Sequence, residues 1–446
     1  MKNPAAIFLV TVAAFFCAGV SWTSLSTKSF DQLPPAWNID GVFYDNIALS
    51  LAEGNGFVVD FENEKWRHAY QRANSESGVE SYKWVFQFEG SGPTTMRSPG
   101  YPYFLSLVYK VLGWRYEIAR YIGILCASIG LATMIAWCFT RWGYLVAGLA
   151  TLTILVDYSI MQSSGMIASE SLAVMTFAFA FVALSALLDR PNFLTAFFAG
   201  VAFAVLFLTR GNWNLGLLLV VAMTVLLFIP RIRKLIEPLN ARHIAIVLIT
   251  AIVVGMPWWI RNCQATGHFQ PFGTAGSSGL VAAYCDESLA DYGNWKAAAF
   301  RRNQRSVFKN IDLETTPLAH REYLVGQSST AKAMEWAIAN WVSLPKLAVF
   351  RYLSHWGLFN RAVPTPFQIL NAIWLIFGLI GCLGLSGEYR KLIAFVLLLD
   401  ALIVMLTWPH LGRYGIPVRP ILHIGCAIFI FRFWHYVLFE RKAPNP

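Results

Sequence analysis

Long apolar stretches dominate the chain, broken at short intervals by small polar or basic loops and twice by long polar ones. A helix needs roughly 20 apolar residues to cross a bilayer. Stretches of that kind fall at about 5–25, 117–138, 143–159, 168–188, 193–209, 213–229, 242–260, 366–385, 391–407 and 415–436, which predicts ten transmembrane helices. Two others, about 100–113 and 336–358, are too short or too interrupted by charge to span. Each is expected to lie along the interface as an amphipathic helix. The run from Pro4 resembles a signal-peptide core, but its length and the spans behind it favour retention as the first membrane helix.

Loop charge orients these helices. With the amino terminus inside, alternate loops carry Arg141, Asp189-Arg190, Arg231-Ile232-Arg233-Lys234, Glu388-Tyr389-Arg390-Lys391 and Glu440-Arg441-Lys442. Short basic loops belong on the cytoplasmic side. The other loops then face outward, and two are long, about 26–99 and 261–365. Counting either doubtful stretch as a span would put a basic cluster on the wrong side. The chain thus divides into a membrane module over 1–260 that includes the first outer loop, a second outer loop over 261–365, and carboxy-terminal membrane helices over 366–446.

Composition agrees. Of 446 residues 56% are hydrophobic and only 13% charged, where a soluble protein carries about a quarter charged residues. Aromatics reach 15%, as suits the belts where bilayer meets water. The net charge of +10 sits in clusters between apolar runs rather than on a basic face, which argues against nucleic acid as a partner. Of seven cysteines, Cys263 and Cys285 fall in an outer loop, where spacing alone leaves a disulfide open.

Polar residues of chemical interest collect at the outward ends of spans: Asp40, Asp45, Arg97, Asp157, Glu170, Arg210, Arg261, His410 and Arg413. Asp40 and Tyr44 share a helix face; Asp40 is either a helix N-cap or a reactive carboxylate. Arg97, in Met96-Arg97-Ser98-Pro99-Gly100-Tyr101-Pro102, is either a headgroup anchor or a phosphate clamp. Glu170, in Ala168-Ser169-Glu170-Ser171, is either a carboxylate favoured by a helix dipole or a second acidic group of a site. Arg210 divides between anchor and substrate contact, and Arg413 and Tyr414 between capping the last span and lining a site. His410 has no Cys or acidic partner at metal spacing and reads as structural. Asp400 lies near mid-span and needs a partner or a proton.

Five of these segments, in order, carry a resemblance. They are Asp40-Gly41-Val42-Phe43-Tyr44 with Gly54-Asn55-Gly56-Phe57 and the Arg97–Pro102 return; Ser164–Leu172; Leu208-Thr209-Arg210; Pro257-Trp258-Trp259-Ile260-Arg261-Asn262 with Gly267; and Arg413-Tyr414-Gly415-Ile416-Pro417. Together they resemble the glycosyltransferase C (GT-C) superfamily, in the branch of protein O-mannosyltransferases and lipid A aminoarabinose transferases. That resemblance implies a GT-C fold with interfacial and periplasmic helices in a bacterial inner membrane. It also implies a sugar on a polyprenyl-phosphate donor, moved with inversion to a hydroxyl of a glycolipid, polysaccharide or protein acceptor at a site facing the periplasm. The roles implied are Asp40 as general base, Glu170 as a second catalytic acidic group that positions or deprotonates the acceptor, Arg97 first and then Arg261 and Arg413 on the donor phosphate, and Tyr44, Tyr101, Arg210 and Tyr414 lining the pocket. Asp40 is followed by Gly41 rather than a second carboxylate, which departs from metal-dependent members and implies a metal-independent enzyme without cofactor. The rival reading, a transporter or flippase, would need internal repeats and charge pairs inside the membrane, and no clear repeat between halves is visible.

Overall fold

The computed structural model describes residues 3–26, 39–77, 90–226, 241–359, 363–408 and 410–437; the basic clusters at 231–234 and 440–442 lie outside them. Helix α1 (Pro4–Ser26) is followed by a first loop that folds into α2 (Ile39–Ala52), β1 (Val58–Val59), α3 (Glu64–Ser77), β2 (Gly92–Pro93) and α4 (Gly100–Leu112). Next come α5 (Tyr116–Leu155), α6 (Tyr158–Ser164), α7 (Ser169–Asp189), α8 (Phe193–Thr209), α9 (Trp213–Leu226) and α10 (Ala241–Thr266). The second loop forms α11 (Ala275–Ala283), α12 (Asp286–Ala290), α13 (Ala297–Phe308), α14 (Leu318–Ala339), a 3₁₀ turn at Trp341–Ser343 and α15 (Leu344–His355). Helices α16 (Thr365–Leu383) and α17 (Gly387–Leu406), a 3₁₀ turn at His410–Gly415 and α18 (Arg419–His435) complete the described chain.

As far as the residues are described, the ten expected spans fall on helices, the 213–229 span only as far as Leu226, and the chain is a multi-pass membrane protein. Among the described residues five helices are long and apolar enough to cross a bilayer: α1, α5, α7, α16 and the Arg242–Thr266 part of α10. Helix α5 holds two of the expected spans, divided where Gly143 takes φ 79° and ψ −176°. A side chain rarely adopts that conformation, so glycine lets the chain turn back there. Gly19 of α1 packs against both Ile124, on the first leg, and Ser164, just beyond the second. The two legs therefore end at one level.

That parity puts the described parts of the short basic loops together. Pro4, Ala5, Arg141 and Asp189 line one crevice at one end of the bundle. Asp189 accepts from Arg141 and from the Tyr389 hydroxyl, and the Arg141 guanidinium lies 4.5 Å from the Tyr389 ring. The opposite end carries both long loops. There α4, the expected interfacial helix over 100–113, leaves Leu107, Val111 and Leu112 exposed along one side, while Tyr101, Leu105 and Tyr109 are buried.

Buried in the first loop, Phe43, Phe57, Phe61, Trp66, Tyr70, Tyr101, Leu105 and Tyr109 form a second core, separate from the main membrane core. Strands β1 and β2 pair Val58 with Pro93 and Val59 with Gly92, drawing the two ends of this loop together. The two long loops are then latched to each other. Glu322 of α14 accepts from Thr94 Oγ1 at 2.5 Å, the Thr95 amide at 2.8 Å and Thr95 Oγ1 at 3.0 Å. Burial raises this carboxyl above its ordinary pKa, against those hydrogen bonds. All seven cysteines are free thiols, Cys263 and Cys285 included.

Candidate active site

Asp40 lies in the first turn of α2, where the helix dipole favours a carboxylate. Its two oxygens meet two guanidiniums: Arg97 at 3.2 Å and Arg413 at 3.2 Å. Arg413 reaches onward to Glu170 at 2.6 Å through both Nε and a terminal nitrogen. Arg210 approaches the same Glu170 oxygen at 3.4 Å and donates to the Arg413 carbonyl at 3.0 Å. Four stretches of chain beyond α2 supply this one cluster.

Arg97 and Arg210 are also positioned from behind. The Arg97 guanidinium lies 4.8 Å from the Phe43 ring, and Arg210 lies 4.8 Å from the Tyr414 ring. Such cation–π contacts hold a planar cation without neutralising it. Helix α4, which follows Arg97, sits close on the end of α8: a Cβ on Gly100 would lie 2.8 Å from Cα of Thr209. Only glycine permits that approach, and it brings Arg97 beside Arg210. Tyr44, one turn above Asp40, donates to Ser169 Oγ at 3.4 Å and meets the Tyr101 ring edge-on at 5.2 Å.

Three guanidiniums (Arg97, Arg210, Arg413) face two carboxylates (Asp40, Glu170), so the cluster carries a net charge of +1. Burial alone would lower the Arg413 pKa, but the Glu170 and Asp40 carboxylates hold it above the ordinary arginine value. Burial pushes the Tyr414 phenol up to about 12 and also raises Tyr44, the latter with help from Asp40. The carboxylates differ in access. The Asp40 side chain is 31% exposed and Glu170 only 2%. A substrate can reach Asp40; Glu170 is a buried counter-ion that aims two arginines. The arrangement is a cationic cluster with one partly exposed carboxylate, suited to a ligand bearing phosphate.

Geometry of this kind can be set beside known structures. The chain superposes along 98% of its length on the oligosaccharyltransferase AglB of Archaeoglobus fulgidus, solved in complex with an inhibitory peptide and a dolichol-phosphate, with a TM-score of 0.53 and 13% identity. The apo form of the A. fulgidus enzyme gives a TM-score of 0.51 and 11% identity over the same share. The chain has the GT-C fold. It spans about half of the oligosaccharyltransferase, covering 52% of that chain. ArnT of Cupriavidus metallidurans, solved bound to undecaprenyl phosphate, is a further similar structure, with a TM-score of 0.40, 13% identity and coverage of 98% of this chain and 81% of that one. No family model matches the sequence, and no curated protein matches it.

On this GT-C scaffold the sequence-predicted residues divide into two groups. Asp40, Arg97, Glu170, Arg210 and Arg413 meet directly, with Tyr44, Tyr101 and Tyr414 packed around them. Arg261 stands apart. It donates to the Thr94 carbonyl at 2.5 Å and the Phe57 carbonyl at 2.9 Å, and lies 4.9 Å from the Trp258 ring. Arg261 and Glu322 grip Thr94 and Thr95 from two sides, and so fix the strand that delivers Arg97.

Three aspartates join other networks. Asp45 is buried in the first-loop core, where it accepts from Tyr109 at 2.5 Å, Trp66 at 2.8 Å and Trp114 at 3.1 Å. Asp157 caps α6 and pairs with Arg419 and His423, each at 2.9 Å. Asp400 has the partner it needed: His355 at 2.8 Å. The side chain of His410 lies outside the described residues. Glu322, His355, Arg419 and His423 carried no local sequence signal; an unpaired charge such as Asp400 announces that a partner exists without naming it.

Proposed function

We propose that this protein transfers a sugar from a polyprenyl-phosphate donor to an acceptor hydroxyl at the periplasmic face of a bacterial inner membrane. The observation that carries the reading is the cluster of Asp40, Arg97, Arg413, Glu170 and Arg210, assembled at the loop-bearing end of a GT-C bundle. AglB, the similar oligosaccharyltransferase, was solved with a dolichol-phosphate.

The chemistry follows from the charges. An acceptor hydroxyl is a weak nucleophile, so a carboxylate must take its proton as the new bond forms. Asp40 is that base, being the reachable carboxylate. Without donor its two oxygens are occupied by Arg97 and Arg413. Donor phosphate competes for Arg97, and releasing one carboxylate oxygen readies the base only when donor is present. The acceptor oxygen then bonds to the anomeric carbon from the side opposite the phosphate, while the anomeric carbon–oxygen bond to phosphate breaks. The lipid phosphate departs with the bonding electron pair and a growing negative charge. Arg97 and Arg413 stabilise that charge more in the transition state than in the ground state. Asp40 is followed by Gly41, and cationic side chains surround it, so arginines supply the stabilisation assigned here.

The experiment is reconstitution of purified protein in lipid nanodiscs, with several polyprenyl-phosphate sugars as donors and membrane extract as acceptor. Sugar transfer that is lost in Arg97→Ala through weakened donor use supports the reading. No protein-dependent product with any donor would overturn it in favour of transport.

A further inference from the structure

The 3₁₀ turn at His410–Gly415 carries Arg413 and Tyr414, and its level decides whether Arg413 can span Asp40 and Glu170. The helix behind it provides that support. His355, the last residue of α15, is 1% exposed, and its ring lies against Gly415. A Cβ on Gly415 would sit 2.9 Å from His355 Nε2 and 3.2 Å from both Cδ2 and Cε1. Three ring atoms at nearly one distance mean that the imidazole lies flat beneath the turn. Its Nε2 pairs at 2.8 Å with Asp400 of α17, itself 2% exposed. That hydrogen bond fixes the ring's orientation.

The rest of α15 is anchored as firmly. Arg351 donates to the Met405 carbonyl at 3.0 Å and the Ala283 carbonyl at 2.7 Å, and Ser354 donates to the Tyr292 carbonyl at 2.8 Å. Helix α15 therefore ties the second-loop helices to the end of α17, with the His355 ring pressed on the arginine-bearing turn. Two buried polar groups in an apolar bundle are costly unless they serve each other. None of the proposed catalytic steps uses this pair.

We infer that His355 and Asp400 are positioning residues: the hydrogen-bonded pair props the 410–415 turn and so sets where Arg413 stands between Asp40 and Glu170. Catalytic relevance rests on the transferase reading above, whereas the positional claim has a readout that needs no activity. Phenylglyoxal modifies accessible guanidiniums, and its rate at Arg413 is followed by peptide mass spectrometry on intact protein in nanodiscs.

His355→Ala and Asp400→Leu are expected to raise labelling of Arg413 several-fold. Asp400→Asn keeps an accepting oxygen and labels as wild type. Gly415→Ala also accelerates labelling, because its new Cβ strikes the ring. The double variant Gly415→Ala/His355→Ala labels no faster than His355→Ala alone, since the obstacle is gone. Ser185→Ala, which removes a buried hydrogen bond to Trp137 at the other end of the bundle, is the control for general loosening. Unchanged labelling in His355→Ala and Asp400→Leu, or equal acceleration in Ser185→Ala, overturns the inference. In the transfer assay Asp400→Leu should lose about tenfold or more in kcat/KM, as expected for a displaced clamp, with Asp400→Asn restoring it. A wild-type protein that transfers no sugar overturns the transferase reading instead, and labelling still decides the positioning pair.

Discussion

Replacing Glu170 by glutamine removes one negative charge and almost no volume, and its cost follows from the neighbours. The carboxylate is 2% exposed, accepts from Arg413 at 2.6 Å and faces Arg210 at 3.4 Å. At an effective dielectric of about 20, a charge pair near 4 Å apart is worth about 4 kcal/mol, and two such attractions are lost. Desolvation of the carboxylate is recovered in return, so the net cost should resemble that of breaking a buried ion pair from one side, about 3–5 kcal/mol. The two guanidiniums, already linked by the bond from Arg210 to the Arg413 carbonyl, then repel each other without a shared counter-ion. The measurement is unfolding free energy by detergent titration, with Glu170→Gln beside Arg210→Met and the double variant. Glu170→Gln should fall by that amount, and the double variant should recover part of it, because removing Arg210 leaves Arg413 with Asp40. A Glu170→Gln protein as stable as wild type would refute the claim that Glu170 is the buried counter-ion of two arginines.

Other expectations test the surroundings of the site. Burial raises the Asp45 carboxyl from 3.8 to about 6, so between those values the folded chain keeps a proton that the unfolded chain has lost. Folding is then favoured at low pH and loses at most about 3 kcal/mol as pH rises through 6; first-loop amide protection should be greater at pH 5 than at pH 7, and Asp45→Asn should flatten the difference. Gly100→Val would place atoms within 2.8 Å of the Thr209 backbone and push α4, and Arg97 with it, away from α8, which should cost about tenfold or more in kcat/KM. Arg261→Met removes two bonds to loop carbonyls and should destabilise by about 3 kcal/mol, while raising donor KM less than Arg97→Ala does.

Much of the architecture was readable because length and polarity decide it. An apolar run of about 20 residues has few choices in a bilayer. Loop parity brought Asp40, Arg97, Glu170, Arg210 and Arg413 to one end before any contact was known. Pairings were not readable, since Arg413 meets Asp40 across 373 residues and Glu170 across 243. Arg261 shared its position with the other arginines, yet backbone carbonyls at Thr94 and Phe57 claim it, and nothing in a guanidinium's neighbours along the chain tells a carboxylate partner from a carbonyl one. Asp45 likewise looked like a site residue and proved to be a core acceptor for Tyr109 and two tryptophans.

In the proposed reaction the partly exposed carboxylate at position 40 takes the acceptor's proton while arginines hold the donor phosphate. Its most direct test measures Asp40→Asn twice in nanodiscs, for affinity to a polyprenyl-phosphate sugar and for single-turnover transfer. Donor binding should equal or exceed that of wild type, since a negative charge beside Arg97 and Arg413 is gone, while transfer falls by about 10²–10⁴-fold. Transfer at the wild-type rate would contradict it.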